Sequence, residues 1–255
     1  MPASKTPASK TKVWFITGAA CGFGRAFADY ALNRGHRVVA AAPDTEGLQD
    51  LAAKAPDRVA ITALDIAHPA DAEAAIATAL ARFGQIDVLI NSAGSETPAA
   101  LQDATDAQLR SQMETSFYGA MAITRAALPI FRAQGSGAIV NISSMGEPMS
   151  PASFRPYAAG RFALEGASEA LARELAPFGV RVLILEPGRF RTDQREVHGG
   201  DPAKAAAALE TALEADVTPL RLALGGDAVD ALRNHCHTLL ADLAKWEPIS
   251  RATGF

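Results

Sequence analysis

Short apolar runs alternate with helical stretches along almost the whole chain of 255 residues. The runs are rich in β-branched residues, as is typical of strands that are buried on both faces. They lie at residues 13–17, 37–42, 59–65, 86–93, 138–144, 181–186 and 220–224. Strands that alternate with helices predict a doubly wound, Rossmann-type α/β fold, with a parallel seven-stranded sheet and helices on both faces.

Glycines mark the ends of four predicted helices, because glycine readily adopts the left-handed conformation that ends a helix. The four helices, at residues 24–34, 70–83, 106–134 and 157–178, are followed by Gly35, Gly84, Gly135 and Gly179. Two further helices are predicted at 201–216 and 227–246. No boundary divides the chain, so residues 12–255 are expected to form one domain, preceded by a disordered tail at 1–11.

Composition excludes several classes of protein. A net charge of −4 argues against a nucleic-acid partner, which would need clustered Lys and Arg. No run approaches the ~20 apolar residues that span a bilayer, and we expect a cytoplasmic location. The two cysteines, Cys21 and Cys236, form no disulfide framework. His235 and His237 flank Cys236, but neighbouring residues on a helix point to different faces, so no metal site is predicted.

Three glycines, Gly18, Gly22 and Gly24, lie between the first predicted strand and the first helix. Glycine permits a tight turn there and lets a pyrophosphate approach the backbone N–H groups at the positive end of the helix. A glycine triplet by itself is weak evidence, but this placement between strand and helix predicts dinucleotide binding.

Tyr157 is preceded by Ser144, thirteen residues earlier, and followed one helical turn later by Arg161. With the glycine loop, these residues resemble the classical short-chain dehydrogenase/reductase family, whose motif is Tyr-x-x-x-Lys; here Arg161 replaces the lysine. The resemblance is closest to the hydroxysteroid and retinol dehydrogenase-like branch and covers about residues 12 to 248. It implies hydride transfer between a nicotinamide dinucleotide and a ketone, aldehyde or alcohol.

The resemblance also implies a set of cofactor contacts. They are Phe23 in the glycine loop, Asp65 and Ile66 beside the adenine, Asn91, Ala93 and Gly94 on the adenine-ribose side, Tyr157 and Arg161 at the nicotinamide ribose, and Pro187, Gly188 and Thr192 near the nicotinamide amide. The positions that usually choose between NAD and NADP are Ala42 and Pro43, which are neither acidic nor basic. Asp44 can reach a ribose hydroxyl but is more often a helix cap. NADP is slightly favoured over NAD.

The catalytic roles follow from proton transfer. Carbonyl reduction needs a proton donor, and a tyrosine hydroxyl with an ordinary pKa near ~10 needs a fixed cation beside it. The resemblance makes Tyr157 the general acid or base, Ser144 the contact to the substrate oxygen and Arg161 the cation. Ser116 stands where the family has an asparagine that holds a water molecule. Gly160 is interpreted as making room for Arg161.

Two functions therefore stay open. The first is a ketone or aldehyde reductase or alcohol dehydrogenase acting on a small, mostly apolar substrate, whose pocket includes residues 95–100, Met145, Met149 and Phe154. The alternative is a nucleotide-binding protein with little catalysis, acting as a cofactor sensor or assembly partner. In the family, a region corresponding to about 190–218 is a lid over the substrate, and helices corresponding to 106–134 and 157–178 form homodimers or homotetramers.

Overall fold

Seven parallel strands form one sheet in the computed structural model, which describes residues 11–68, 70–94, 100, 102–144, 156–190 and 199–254. Their bounds are β1 Val13–Thr17, β2 Arg37–Ala42, β3 Val59–Ala63, β4 Val88–Asn91, β5 Gly137–Ile142, β6 Val180–Pro187 and β7 Arg221–Leu224. The order across the sheet is β3-β2-β1-β4-β5-β6-β7. The predicted doubly wound parallel sheet is confirmed.

Helices cover both faces of this sheet. Their bounds are α1 Gly22–Asn33, α2 Gln49–Lys54, α3 Asp71–Phe83, α4 Asp106–Met113, α5 Gly119–Gln134, α6 Pro156–Leu175, α7 Pro202–Glu214 and α8 Gly226–Arg251. One apolar core lies under α1, α2 and α7, and a second lies under α3, α5 and α6. Both faces of the strands are thus removed from water, as their apolar runs require.

The helix predicted at 106–134 is interrupted. A π-helical turn at Glu114–Tyr118 separates α4 from α5. α5 begins at Gly119, where a β-carbon would collide with the backbone and side chain of Ile66, so the helix lies directly on the segment that follows β3. A π turn inserts extra backbone into a helix, often at a functional site. Here it brings Ser116 to a completely buried position.

The strand predicted at 86–93 is shorter, because its last residues bond to a side chain instead of a neighbouring strand. The N–H groups of Ser92 and Ala93 both donate to Thr17 Oγ1, each at 3.0 Å. β4 therefore ends at Asn91. This arrangement joins the carboxyl ends of β1 and β4, where the sheet order reverses and doubly wound folds bind their ligands.

The alanine-rich helix predicted at 201–216 is α7, and it packs firmly against α1. Its Glu210, which is buried, contacts the Tyr30 hydroxyl at 2.7 Å, Arg34 Nε at 2.9 Å and His36 Nε2 at 2.9 Å. Burial, and then the hydrogen bond to Glu210, raise the pKa of the Tyr30 hydroxyl to about 12. The C-terminal part of the predicted lid is thus a packed helix. The preceding residues 191–198, like the tail at 1–10, lie outside the described residues.

The last helix, α8, is packed less closely than α7, because only its Ala228 and Ala231 are buried. It extends to Arg251, five residues beyond the predicted end, and it is exposed from Cys236 onward. Across the residues the structure describes, no helix combines the length and the apolar character needed to cross a bilayer.

We expect Glu210→Gln to weaken the attachment of α7 in a pH-dependent way. Burial favours the neutral acid, but the hydrogen bonds from His36 and Tyr30 and the charge of Arg34 hold the pKa of Glu210 below its ordinary value. A carboxyl whose folded pKa is depressed stabilises the fold fully above about pH 4.5, and this stabilisation is lost as the pH falls through the folded pKa.

Urea unfolding should therefore show a loss of about 2 kcal/mol for Glu210→Gln at pH 7, and the difference from the wild type should shrink toward pH 4. Glu214→Gln is the matched control, because Glu214 ends the same helix and makes only a 3.7 Å surface pair with Lys12. Equal losses at both pH values would contradict the ionic role of Glu210.

Candidate active site

The glycine loop lies where the ends of β1 and β4 meet. Gly18 has φ = +65°, and a β-carbon on it would lie 2.9 Å from Ala93 Cα. A β-carbon on Gly24 would collide with the carbonyl of Gly18, so the start of α1 packs against the loop. Gly22 has φ = +56° and open space where a side chain would be. The loop therefore leaves a backbone-lined cradle at the N-terminus of α1.

Phe23 is part of this loop, but its ring belongs to the core. Its centroid lies 5.1 Å from that of Phe190 and 5.8 Å from that of Phe27. Only the backbone of Phe23 is thus placed to face a cofactor. Phe190 follows β6, so this ring contact fixes the glycine loop to the start of the region predicted as a lid.

Asp65 and Ile66, expected beside the adenine, follow β3. Asp65 accepts hydrogen bonds from Ala67 N at 3.0 Å and approaches His68 Nδ1 at 2.8 Å. The Ala67 N–H, and then His68, hold the pKa of Asp65 below its ordinary value, so its carboxylate is ionised at neutral pH. Ile66 is buried against Gly119. Asp65 remains partly exposed, while Ile66 mainly positions α5.

Asn91 holds the centre of the sheet together. Its Nδ2 donates to Asn141 Oδ1 at 2.7 Å and to Thr124 Oγ1 at 3.1 Å, and Asn141 in turn donates to Ser168 Oγ at 2.8 Å. All four side chains are buried. This chain of hydrogen bonds connects β4, β5, α5 and α6 below the candidate site, and its position indicates that Asn91 supports the site from within.

Tyr157 and Arg161 lie on successive turns of α6, and their side chains are stacked. Arg161 Cζ lies 4.7 Å from the centroid of the Tyr157 ring. Arg161 is only 5% exposed, and its Nη1 donates to the carbonyl of Ile142, the last residue of β5, at 2.7 Å. Its Nε is buried and has no hydrogen-bond partner among the residues that the structure describes. The guanidinium is therefore fixed between the sheet and the tyrosine ring.

Gly94 leaves space for Arg161, while the interpretation that Gly160 makes room for Arg161 stays a prediction. A β-carbon on Gly94, which has φ = +145°, would lie 2.7 Å from Arg161 Nη2. A β-carbon on Gly160 would instead lie 2.6 Å from Ser116 Cβ. Gly160 therefore accommodates the π turn against α6.

Ser116 packs directly against α6 at Gly160. Its hydroxyl is 3.5 Å from Gln112 Nε2, and both residues are buried. Sequence reasoning missed Gln112, although a polar residue four positions before Ser116 on a predicted helix is a usable signal. The expectation that Ser116 holds a water molecule stays a prediction.

Ser144 follows β5 and is half-buried. Its neighbour Ser143 donates to Glu165 on α6, which ties the end of the strand to the helix that carries Tyr157. Pro187 ends β6, and Gly188 follows it with its N–H donating to the Leu224 carbonyl at 2.8 Å. Thr192 and most of the expected substrate pocket, including residues 95–99, Met145, Met149 and Phe154, lie outside the described residues.

A carboxylate cluster beside the site was also missed. Arg221 on β7 contacts three carboxylates, with Nη1 to Glu186 at 2.5 Å, Nη1 to Glu165 at 2.9 Å and Nη2 to Glu169 at 2.8 Å. Burial raises the pKa of Glu186, which is 1% exposed. The sequence gives no signal for this cluster, since its members come from α6, β6 and β7. Among the described residues, no group of His, Cys, Asp or Glu is arranged to hold a metal ion.

We expect Gly160→Ala to push the π turn away from α6, because its β-carbon would meet Ser116 Cβ at 2.6 Å. Overpacking of this kind typically destabilises by about 1–3 kcal/mol. Removing the opposing side chain in Gly160→Ala/Ser116→Gly should recover part of the loss, which thermal unfolding measures. Gly166→Ala is the matched control on the same helix, because nothing lies within 4 Å of its β-carbon position. A destabilisation that the double variant leaves unrelieved would contradict the contact.

Known proteins resemble this chain over nearly its whole length. A family profile described as short chain dehydrogenase matches residues 12–201. An oxidoreductase of Botryotinia fuckeliana is 34% identical, over 95% of this chain and 99% of the relative. A 3-ketodihydrosphingosine reductase of Bacteroides thetaiotaomicron is 35% identical, over 71% of this chain and 65% of the relative.

Solved structures agree with this assignment. A short-chain dehydrogenase from Streptomyces avermitilis superposes with a TM-score of 0.91 at 44% identity, covering 97% of this chain and all of that one. An alcohol dehydrogenase from Thermococcus sibiricus, complexed with 5-hydroxy-NADP, has a TM-score of 0.76 at 23% identity, covering 85% of this chain and 97% of that one, and shares the fold. The chain belongs to the short-chain dehydrogenase family of oxidoreductases.

Proposed function

We propose that this protein interconverts a ketone or aldehyde and the corresponding alcohol with a nicotinamide dinucleotide, and that Tyr157 is the general acid or base. The observation that carries the proposal is the buried Arg161 guanidinium stacked 4.7 Å from the Tyr157 ring. The names of the relatives, an oxidoreductase and a reductase of a 3-keto compound, favour catalysis over the alternative of a non-catalytic nucleotide-binding protein.

Tyr157 moves the proton. In reduction its hydroxyl donates to the oxygen that becomes the alcohol, and in oxidation the phenolate takes the proton back. A cation fixed against the ring stabilises the anionic form. The bond to the Ile142 carbonyl keeps Arg161 in place through both steps. Ser144, at the end of β5, binds the same substrate oxygen.

The dinucleotide site fits the residues around the glycine loop. A nicotinamide dinucleotide held here would supply or accept the hydride. Gly22 offers open space at the N-terminus of α1, where backbone N–H groups bind a pyrophosphate. Gly94, Pro187 and Gly188 lie at the carboxyl ends of β4 and β6, on the same edge of the sheet as Arg161.

Arg161 does not release its proton at any ordinary pH, so it does not pass protons to Tyr157 as a lysine does. Its role is electrostatic and positional. Ser116 and Gln112 are buried against α6. They fix the position of this helix, which carries Tyr157. We therefore assign Ser116 a positioning role in addition to the predicted water contact.

The preference for NADP over NAD is a finer part of the proposal. Ala42 is buried at the end of β2, Pro43 is exposed, and Asp44 Oδ1 accepts a hydrogen bond from Glu46 N at 2.9 Å. Asp44 is thus engaged in a turn directly before the 3-10 helix at Glu46–Leu48, whose N-cap residue is Thr45. No carboxylate is then directed at a 2′-phosphate from these three positions, which slightly favours NADP.

Replacing Pro43 tests this preference. Pro43→Arg should tighten NADPH binding about tenfold, equivalent to ~1.4 kcal/mol, because a cation at the end of β2 attracts a 2′-phosphate. Pro43→Asp should favour NADH instead. Fluorescence titration of both dinucleotides measures the ratio, and Pro43→Ala controls for loss of the ring. If neither charged variant changes the ratio, the end of β2 does not contact the ribose.

Tyr157→Phe should lower kcat for ketone reduction by about 10²–10⁴-fold, because it removes the donor and keeps the ring. Dinucleotide binding, followed by fluorescence, should be retained. Tyr118→Phe is the matched control, since Tyr118 is half exposed on the π turn. Full activity in Tyr157→Phe would refute the proposed acid.

Two substitutions of Arg161 test whether its positive charge is needed for catalysis. Arg161→Met should lose about 10²-fold in kcat, and Arg161→Lys should retain more activity than Arg161→Met, because it keeps the cation. A ketone screen with NADPH and NADH compares the variants. If the wild type reduces no ketone and Arg161→Lys does, the non-catalytic alternative is correct. Failure to bind either dinucleotide would refute both functions.

A further inference from the structure

One row of side chains on α6 faces the end of β5. Tyr157, Arg161 and Glu165 follow one another at intervals of four residues, so they lie on the same side of the helix. Arg161 donates to the carbonyl of Ile142 at 2.7 Å, and Glu165 accepts a hydrogen bond from the hydroxyl of Ser143. Two successive residues at the end of β5 are therefore bound by two successive turns of α6.

Ser143 is held from two directions. Its hydroxyl bonds to α6, and its N–H donates to the carbonyl of Leu185 on β6 at 2.8 Å. Ser143 is only 3% exposed, and a buried hydroxyl that loses its partner costs the free energy of removing it from water. Because Ser144 is the next residue, these bonds to Ser143 set the position of its backbone.

The carboxylate of Glu165 has a partner on each oxygen. Its Oε1 accepts the bond from Ser143, and its Oε2 accepts a bond from Arg221 Nη1 at 2.9 Å. The Glu165 side chain is only 12% exposed. Hydrogen bonds to an ionised group are stronger than neutral ones, and here they form largely away from water. The two bonds therefore fix the rotation of the carboxylate.

Arg221 on β7 extends this arrangement to β6. Its Nη1 also contacts Glu186 at 2.5 Å, and its Nη2 contacts Glu169 on α6 at 2.8 Å. A guanidinium presents its donors in a rigid, planar fork, so its partners are held in fixed relative positions. Through Glu165, Arg221 joins α6 to the carboxyl ends of β5 and β6, where the candidate site lies.

We propose that Glu165 is a positioning residue for the reaction and that Arg221 acts through it. Glu165 keeps the end of β5, and therefore Ser144, at a fixed distance from Tyr157. The role rests on the proposed function, in which Ser144 and Tyr157 contact the same substrate oxygen. Both hydroxyls must reach that oxygen together, and a displacement of about 1 Å can cost about 10²-fold in rate.

The Arg161 bond does not fix the end of the strand by itself. A single hydrogen bond, here to the Ile142 carbonyl, lets the strand end rotate about that contact. The bond between Ser143 and Glu165, one residue later, removes this rotation. Arg161 and Glu165 thus divide the work: the guanidinium stabilises the Tyr157 phenolate, and the carboxylate orients the segment that carries the second hydroxyl.

Steady-state kinetics of Glu165 variants test this role. Glu165→Ala removes both bonds and should lower kcat about 10–100-fold for the ketone that the wild type reduces fastest, while dinucleotide binding by fluorescence is retained. Glu165→Gln keeps an acceptor for Ser143 and should recover part of the loss. Glu174→Gln is the matched control on α6, because Glu174 pairs only with Arg132 at 3.5 Å and is 59% exposed. An unchanged kcat in Glu165→Ala would overturn the proposal.

A double-mutant cycle separates positioning from general stabilisation. Ser143→Ala removes one hydroxyl and should lower kcat in the same direction as Glu165→Ala. The double variant should lose no more than the larger single loss, because residues that act as a unit are not additive. Urea unfolding identifies the folded fraction at the assay temperature, and Ser143→Ala keeps the test valid if Glu165→Ala does not fold. Losses that multiply in the double variant would contradict the shared role.

Residue-resolved hydrogen exchange tests the contact without a substrate. The Ser143 N–H should exchange about tenfold faster in Glu165→Ala than in the wild type, because its strand end opens more often. The Ser92 N–H, which bonds to Thr17 at the end of β4, is the internal control and should not change. Unchanged exchange at Ser143 would overturn the role of Glu165. Faster exchange in a protein whose wild type reduces no ketone would refute the proposed function and still support the contact.

Discussion

The close approach of the backbones at the ends of β1 and β4 is the constraint on which the site depends. One hydroxyl, Thr17 Oγ1, accepts the N–H groups of Ser92 and Ala93 and contacts the carbonyl of Ile90. Only glycine fits at position 18 in this geometry. Because the strand order reverses between β1 and β4, the contact fixes the crevice in which doubly wound folds bind dinucleotides. The start of α1 and the position of Gly94 follow from it.

The sequence predicted the parts of the fold that local chemistry determines. Buried parallel strands must be apolar, so their runs were recognised, and the glycines after α3, α5 and α6 have the expected left-handed conformation. The π turn was not predictable, because its surroundings, Gly160 beside Ser116 and Ile66 beside Gly119, come from elements distant in sequence. The glycine loop and Tyr157 are short motifs and were found. The partners of Arg161 come from three segments, so no short motif could identify them.

The two C-terminal helices differ in how they are stabilised. α7 buries alanine and leucine side chains against α1. The carboxylate of its Glu210 also bonds to Tyr30, Arg34 and His36, which holds the two helices together. α8 is held at its start by the buried Ala228 and Ala231 and by Asp227, whose carboxylate accepts the Arg189 N–H at 2.8 Å. Its Leu239, Leu240, Leu243, Trp246 and Ile249 are each more than half exposed, whereas Leu209 and Leu213 of α7 pack into the domain core.

The uncompensated charge of Arg161 is the main electrostatic feature of the candidate site. Burying a guanidinium costs free energy unless other groups compensate its charge. Among the described residues, Arg161 has a carbonyl and an aromatic ring as neighbours but forms no ion pair, and its Nε has no hydrogen-bond partner. A buried cation that the protein leaves uncompensated stabilises an anion formed beside it. The Tyr157 ring lies 4.7 Å from the guanidinium, so this uncompensated charge lies beside the residue proposed as the general acid or base.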